Sequence, residues 1–244
     1  MKDLTSEHTV LGIIPARGGS KGIGRKNIRS LAGKPLLAYT ASAAQQSARL
    51  SRVLLSTDDP EIAEIGKAVG LDVPFLRPAG LALDSTPMID VVLHAIRWEQ
   101  SHGEHCDGIC LLQPTSPLRS ARTIDRCISR LWEQDADCVI SVRPVPPEYN
   151  PHWVYLETPE GLLKPSVGDG DPIPARQLLP PAYHRDGSVF AAKTQSVLVH
   201  GSLYGRKTVG VLSPEAEACD LDTEEQWEWL EQKLKSMRNL SSAR

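Results

Sequence analysis

The sequence predicts an α/β chain built on a doubly wound, mainly parallel sheet, and three observations lead there. Short apolar runs recur at residues 10–14, 52–57, 108–112 and 138–142, at intervals of roughly 20 to 40 residues that suit crossover connections. Between them, apolar residues keep helical spacing, as in Ile62, Ile65 and Val69, or Ile124, Cys127, Ile128 and Leu131. The run Gly108-Ile109-Cys110-Leu111-Leu112 is almost continuously apolar, as a strand covered on both faces must be. Strand–helix alternation of this kind brings successive strands side by side in parallel. Ligands are then expected at the carboxyl ends of the strands.

Each element has a local reason. Residues 10–14 form a buried strand, after which Lys34-Pro35 opens an alanine-rich helix with the proline in its first turn. Residues 52–57 are a second strand; Asp58-Asp59-Pro60 caps the next helix, which Gly70 closes. Residues 72–76, interrupted by Pro74, read as a short edge strand. Ser85-Thr86-Pro87 starts a helix carrying Ile89, Val92, Leu93 and Ile96. Residues 188–192 and 208–212 regain strand character, and Thr223-Glu224-Glu225-Gln226 is a capping box for a last helix with Trp227, Leu230 and Leu234.

One stretch differs in texture. Residues 144–181 hold ten of the nineteen prolines, and their strand candidates, 153–156 and 161–163, are short. Trp153 and Leu162 would be costly on a free loop, so the stretch is expected to be an excursion that packs on another subunit. The expected organisation is an α/β domain of residues 1–143 and 182–244, with 144–181 inserted as a dimerisation arm.

Composition narrows the setting. With 244 residues and a net charge of −3, the surface as a whole repels phosphate, which argues against general nucleic-acid binding. No run approaches the length of a membrane span, and the first residues lack a signal peptide's apolar core. Five irregularly spaced cysteines do not make a disulfide framework, so a reduced, cytoplasmic setting is expected. The average hides an asymmetry: between His8 and Thr57 stand eight Lys or Arg residues and no Asp or Glu.

The chemistry gathers in four stretches. After the first strand come Arg17, Gly18, Gly19, Ser20, Lys21, Gly22, Gly24, Arg25 and Lys26. Glycines let backbone N–H groups turn toward a ligand and the cations bring charge, the two needs of a polyphosphate. Neither G-x-x-x-x-G-K-[ST] nor G-x-G-x-x-G is matched, and a solvated basic turn is the other reading. Arg77 leaves the edge-strand candidate in what also reads as a plain surface loop. Gln113 ends a buried strand before Pro114-Thr115-Ser116-Pro117, and its amide both donates and accepts. In Cys219-Asp220-Leu221-Asp222-Thr223, the i, i+2 spacing sets two carboxylates on one side of an extended chain. They read either as caps for the following helix or, beside a phosphate loop, as holders of Mg²⁺.

Together these stretches resemble the N-acylneuraminate cytidylyltransferases, also called CMP-sialic acid synthetases, from about Val10 to Trp227. The most specific parts are Ile14-Pro15-Ala16-Arg17-Gly18-Gly19-Ser20-Lys21-Gly22, then Leu112-Gln113-Pro114-Thr115-Ser116-Pro117-Leu118-Arg119, and Asp220-Leu221-Asp222. The resemblance implies a nucleotide-diphospho-sugar transferase-like fold. It also implies transfer of CMP from CTP to the anomeric hydroxyl of a nine-carbon ulosonic acid, with release of pyrophosphate. By position, Arg17, Ser20, Lys21 and Lys26 would take the triphosphate and Asn27 the cytosine. Asp220 and Asp222 would hold Mg²⁺, with Asp222 joining Arg17 and Lys21 in catalysis. Arg77 and Gln113 would line the cleft. Arg176 and Gln177 would reach the sugar from the other subunit of a homodimer, and Asp186 and Gly187 would also face it.

Three departures bear on the sugar and the loop. Gly24 stands where the family usually has proline, and Met88 where some members have serine. Tyr183-His184-Arg185-Asp186-Gly187-Ser188 replaces a stretch that usually carries an Asn-Gly pair. Legionaminic acid therefore fits as well as sialic acid. The alternatives are an enzyme for 3-deoxy-manno-octulosonate and a catalytically silent CTP-binding regulator.

Overall fold

A computed structural model describes residues 8–19, 22–168 and 170–242. The chain divides into two compact units, one of residues 1–141 and 186–244 and the other Val142–Arg185.

The larger unit is organised around β1 (Val10–Pro15), every residue of which is buried. After it come the two-residue strands β2 (Ser30–Leu31) and β3 (Lys34–Pro35), which pair antiparallel. Pro35 thus caps α1 (Leu36–Gln45) from outside, not from its first turn. β4 (Arg52–Ser56) leads into α2 (Pro60–Ala68), where Asp59 accepts from the N–H groups of Glu61 and Ile62 as the sequence predicts. Then follow α3 (Met88–Ser101), β5 (Gly108–Leu111), α4 (Ala121–Glu133) and β6 (Cys138–Pro144). The second unit contains the hairpin of β7 (Tyr155–Glu157) and β8 (Leu163–Pro165). The chain finishes with β9 (Tyr183–Lys193), α5 (Thr194–His200), β10 (Thr208–Leu212) and α6 (Glu224–Ser242).

Six strands form one sheet in the order β10-β6-β9-β5-β1-β4. β1 pairs in parallel with β4 on one side and β5 on the other, with Gly12 opposite Val53 and Cys110. β9 runs antiparallel to β5, Leu111 facing Phe190. It stands between β5 and β6, a placement that strand-by-strand reading of the first half does not suggest. The expected edge strand at 72–76 reduces to two isolated bridges, Leu54 to Asp72 and Thr57 to Leu76. Pro74 between them has no N–H to offer a ladder. α5 was not expected either; its seven residues, Thr194-Gln195-Ser196-Val197-Leu198-Val199-His200, include the β-branched Thr194, Val197 and Val199.

Alternation along the strands sends side chains to two cores. Ile14, Leu55 and Cys110 pack with residues of α1 and α4 on one face, and Ile13, Leu54 and Leu111 with α3 on the other. Cys110, Cys127 and Cys138 are buried, as expected, and burial pushes the thiols of Cys110 and Cys138 up to about 12. A third cluster has a functional consequence. It joins Ile23, from the loop after β1, to Leu221 and to Trp227 and Leu230 of α6, with Ile23 and Leu221 fully buried. These two apolar anchors bring the cationic loop and the Asp220-Leu221-Asp222 segment together.

In the second unit, Asn150 donates to the Pro180 carbonyl (2.9 Å) and the Trp153 indole N–H to that of Ile173 (2.8 Å). Those bonds give the proline-rich stretch a fixed course. Leu156, Leu162, Leu163, Val167 and Leu178 remain exposed on it.

No helix among the described residues is long and apolar enough to cross a membrane.

Candidate active site

A cleft of about 500 Å³ opens in the larger unit at the carboxyl ends of β1, β4 and β5, a volume suited to a nucleotide-sized ligand. Arg17, Gly22, Lys26 and Asn27 line it from the loop after β1, Arg77 from the chain beyond β4, Gln113, Pro114 and Thr115 from the turn after β5, and Asp222 from the segment before α6.

The loop after β1 is shaped by close backbone approaches. Gly18 donates its N–H to Asp58 Oδ1 (3.1 Å), and a Cβ on Gly18 would lie 2.6 Å from Asp59 Oδ2. A Cβ on Gly22 would lie 2.6 Å from the Asp222 carbonyl oxygen. A side chain at Gly22 would force the two backbones apart, and one at Gly18 would displace the Asp59 carboxylate. Gly24 has nothing within 4 Å of where a Cβ would stand, so space does not require glycine there. Ser20 and Lys21, expected at the triphosphate, lie outside the described residues.

The cations of this region divide into two groups. Arg25, with φ at +53°, turns away to ion-pair with Asp59 and Glu61. Arg29 pairs with Glu224 (2.6 Å) and lies over the Trp227 ring, and Arg52 pairs with Asp72 and Glu99. These three serve the fold.

Arg17, Lys26 and Arg77 face the cleft instead, each with an acid. Arg17 Nη1 is 2.6 Å from Asp84 Oδ1, and Lys26 Nζ is 2.9 Å from Asp222 Oδ1 and 2.8 Å from the Leu221 carbonyl. Arg77 is buried, its side chain 3% exposed, with Asp58 Oδ1 3.7 Å away and Nε without a hydrogen-bond partner. Burial lowers its pKa, and the Arg17 charge adds to that effect. An unpaired buried guanidinium N–H is costly, and Arg77 carries that cost at the wall of the cleft. Asn27, also buried, donates its amide to the Arg17 carbonyl (2.9 Å) and steadies the loop.

Asp84 and Asp58 were not picked out as partners of the cations by the sequence reading, nor was Thr86 as part of the lining, which also includes Met88. Asp58 carried a signal, two acids directly after a strand, but one that capping also explains. The acids at 220 and 222 are not the caps of α6. Thr223 and Gln226 form the capping box, Gln226 N–H donating to Thr223 Oγ1 (3.2 Å) and Thr223 N–H to Gln226 Oε1 (3.0 Å). Asp222 lines the cleft, whereas the exposed Asp220 does not. Carboxylate oxygens here, with room for phosphate oxygens beside them, form a donor set of the type that Mg²⁺ takes. The described residues contain no group of three or more His, Cys, Asp or Glu that could hold an ion alone, so a metal here would need oxygens from its substrate.

The far wall departs from expectation. Asp186, expected to meet the sugar, is buried: its Oδ1 accepts from Ser141 Oγ and from the Ser188 N–H (2.9 Å). The antiparallel course of β9 turns this carboxylate into the sheet, and Asp186 does not line the cleft. Gly187, at φ +72°, also lies outside the lining, but a Cβ on it would stand 3.3 Å from Gln113 Oε1. Arg176 and Gln177 belong to the second unit, exposed on a single 3₁₀ turn.

Replacing Asp58 with alanine should lower stability by about 1–3 kcal/mol, because it strips both the Gly18 N–H and the buried Arg77 of their acceptor. Urea unfolding checks this, and an unchanged midpoint would count against the role given to Asp58.

Known proteins share this sequence and this fold. A match to the family described as Cytidylyltransferase spans residues 11–158. A CMP-N,N'-diacetyllegionaminic acid synthase from Legionella pneumophila is 34% identical over 220 residues, 89% of this chain and 93% of that protein. An N-acylneuraminate cytidylyltransferase from Escherichia coli is 30% identical over 87% of this chain and 49% of that protein. Among solved structures, a CMP:2-keto-3-deoxy-manno-octonic acid synthetase complexed with CTP superimposes with a TM-score of 0.68 at 16% identity, over 94% of this chain and 99% of that one. The domain match, the relatives and the shared fold agree with the resemblance carried by the motifs: the chain belongs to the cytidylyltransferase family.

Proposed function

We propose that this protein transfers CMP from CTP to the anomeric hydroxyl of a nine-carbon ulosonic acid of the legionaminic or sialic type, releasing pyrophosphate. The observation that carries the reading is the cleft itself, where Arg17, Lys26 and Arg77 converge with Asp222 and face Gln113. The sheet order supplies the layout. β1 and β4, which bear the cations, lie to one side of β5 and its Gln113, with β9 on the other side. The triphosphate belongs over β1 and β4, and the sugar toward β5 and β9.

The chemistry is one displacement. The anomeric oxygen bonds to the α-phosphorus, the bond from that phosphorus to the bridging oxygen of pyrophosphate breaks, and the hydroxyl proton goes to a carboxylate, for which we assign Asp222. Arg17 and Lys26, with Lys21 from the same loop, hold the triphosphate and balance the charge that develops on it. Arg77 sets its positive charge at the wall of the cleft for the nucleotide, and Asn27 keeps its assignment to the cytosine. Gln113 orients the acceptor, so that much of the rate comes from positioning. Asp222 and phosphate oxygens would hold Mg²⁺, which would supply further positive charge at the triphosphate, and Asp220, outside the cleft lining, would join them only by turning inward. Asp222 becomes free for these tasks when Lys26 exchanges its carboxylate for phosphate.

Exposed Leu156, Leu162, Leu163 and Leu178 on the second unit support its role as a homodimerisation arm, which would present Arg176 and Gln177 to the other subunit's sugar. Five free thiols and a reaction that draws on CTP suit the cytoplasm.

Incubation with CTP, Mg²⁺ and a panel of ulosonic acids, followed by pyrophosphate release, tests the reading. Turnover is expected with a legionaminic or sialic acid; turnover with only the eight-carbon sugar would move the substrate, and none with any sugar would favour a binding protein. Asp222→Asn should move the Mg²⁺ titration to concentrations about tenfold higher or more. An unaltered titration would remove Asp222 from the metal site.

A further inference from the structure

Arg119 is the most deeply committed charged side chain near the cleft, yet it does not line it. It is 4% exposed. Its Nη2 donates to the carbonyl of Gln113 (2.6 Å), its Nε to that of Ser188 (3.1 Å), and weaker bonds reach the Ser116 carbonyl and Thr40 Oγ1. The ladder between β5 and β9 ends at Leu111 and Phe190. Beyond that point, Gln113 and Ser188 have no mutual pairing in that register, and a single guanidinium bridges their carbonyls.

The surrounding charges fit this bridging role. Burial pulls the Arg119 guanidinium down to about 10, and the nearby carboxylates Asp186 and Glu217 oppose this effect. Asp186 sits at the start of β9's part in the larger unit, fixed by Ser141 and Ser188. Glu217 lies in the segment that leads to Asp222 and accepts from Ser120 Oγ (2.6 Å) and Thr123 Oγ1 (3.0 Å) at the start of α4. Gly187 completes the arrangement: a Cβ on it would stand 3.3 Å from Gln113 Oε1, so a side chain there would press on the amide.

We propose that Arg119 is a positioning residue that ties the Gln113 backbone to Ser188 of β9 and so holds the Gln113 amide in the cleft wall, with Asp186 bonded to the same Ser188. A lysine cannot replace this bridge, because one ammonium lacks the planar fork that reaches two carbonyls and a hydroxyl together. The acid at 186 is then a structural group held by Ser141 and Ser188, in place of the sequence-based expectation that it confronts the sugar's carboxylate.

The inference rests on the proposed reaction, so wild-type turnover is the control; its absence would fail that reading and not this one. With turnover established, Arg119→Lys is expected to raise KM for the sugar about tenfold or more, with kcat falling by a similar factor, while KM for CTP stays within about twofold. Equal rises in both KM values, or unchanged kinetics in a folded variant, would overturn the proposal. A second variant, Arg119→Gln with Asp186→Asn, removes both buried charges. It should regain thermal stability relative to Arg119→Gln alone without regaining the KM for the sugar. Recovery of kinetics together with stability, or failure of both variants to fold, would assign Arg119 to stability alone and overturn its positioning role.

Discussion

Concentrated positive charge is the constraint on which this structure depends. Arg17, Lys26 and Arg77 converge on one cleft, and like charges gathered in a partly buried space repel unless something of opposite sign stands among them. Asp84, Asp222 and Asp58 supply it. The three pairs differ in depth. Arg17 with Asp84, and Asp222 opposite Lys26, are open to water, so a triphosphate can displace the acids at small cost. Arg77 itself is buried, with a partly exposed Asp58 beside it, and has the least freedom to move. The cleft thus has a fixed cation at its base and exchangeable ones at its mouth.

Keeping these charges in register falls to apolar and backbone contacts. Ile23 and Leu221 each stand among charged residues in sequence and are each fully buried in the same small core. Burying a side chain of this size contributes about 1.5–3 kcal/mol, more than an exposed ion pair returns. The loop and the acidic segment are therefore held together mainly by what lies under them. The bare Cα of Gly22 lets the two chains touch.

How much of this was legible in the sequence depends on the kind of signal. The parallel core from β4 through β1 to β5 follows from apolar runs and helical spacing, which act locally. The cationic loop and Gln113 were visible because glycines, cations and a strand-ending amide have few other uses together. The division of labour among the cations was not. Arg25 and Arg29 look like Arg17 in sequence, and only folding shows that Asp59, Glu61 and Glu224 claim the first two. Asp186 was placed at the sugar only by its position in the family resemblance, and sequence alone does not show that β9 buries it beside Ser141. Periodicity carries no information about which strand lies next to which, so β9's place between β5 and β6 had no signature.

The layout of the cleft, with nucleotide over β1 and β4 and acceptor toward β5 and β9, is the claim that unites these observations. Calorimetric titration of CTP into the wild type, Lys26→Ala and Gln113→Ala tests it most directly, since no sugar is present. The account predicts that Lys26→Ala weakens CTP binding about tenfold or more while Gln113→Ala stays within about twofold of the wild type. The reverse order, CTP lost with Gln113 and kept without Lys26, would contradict it.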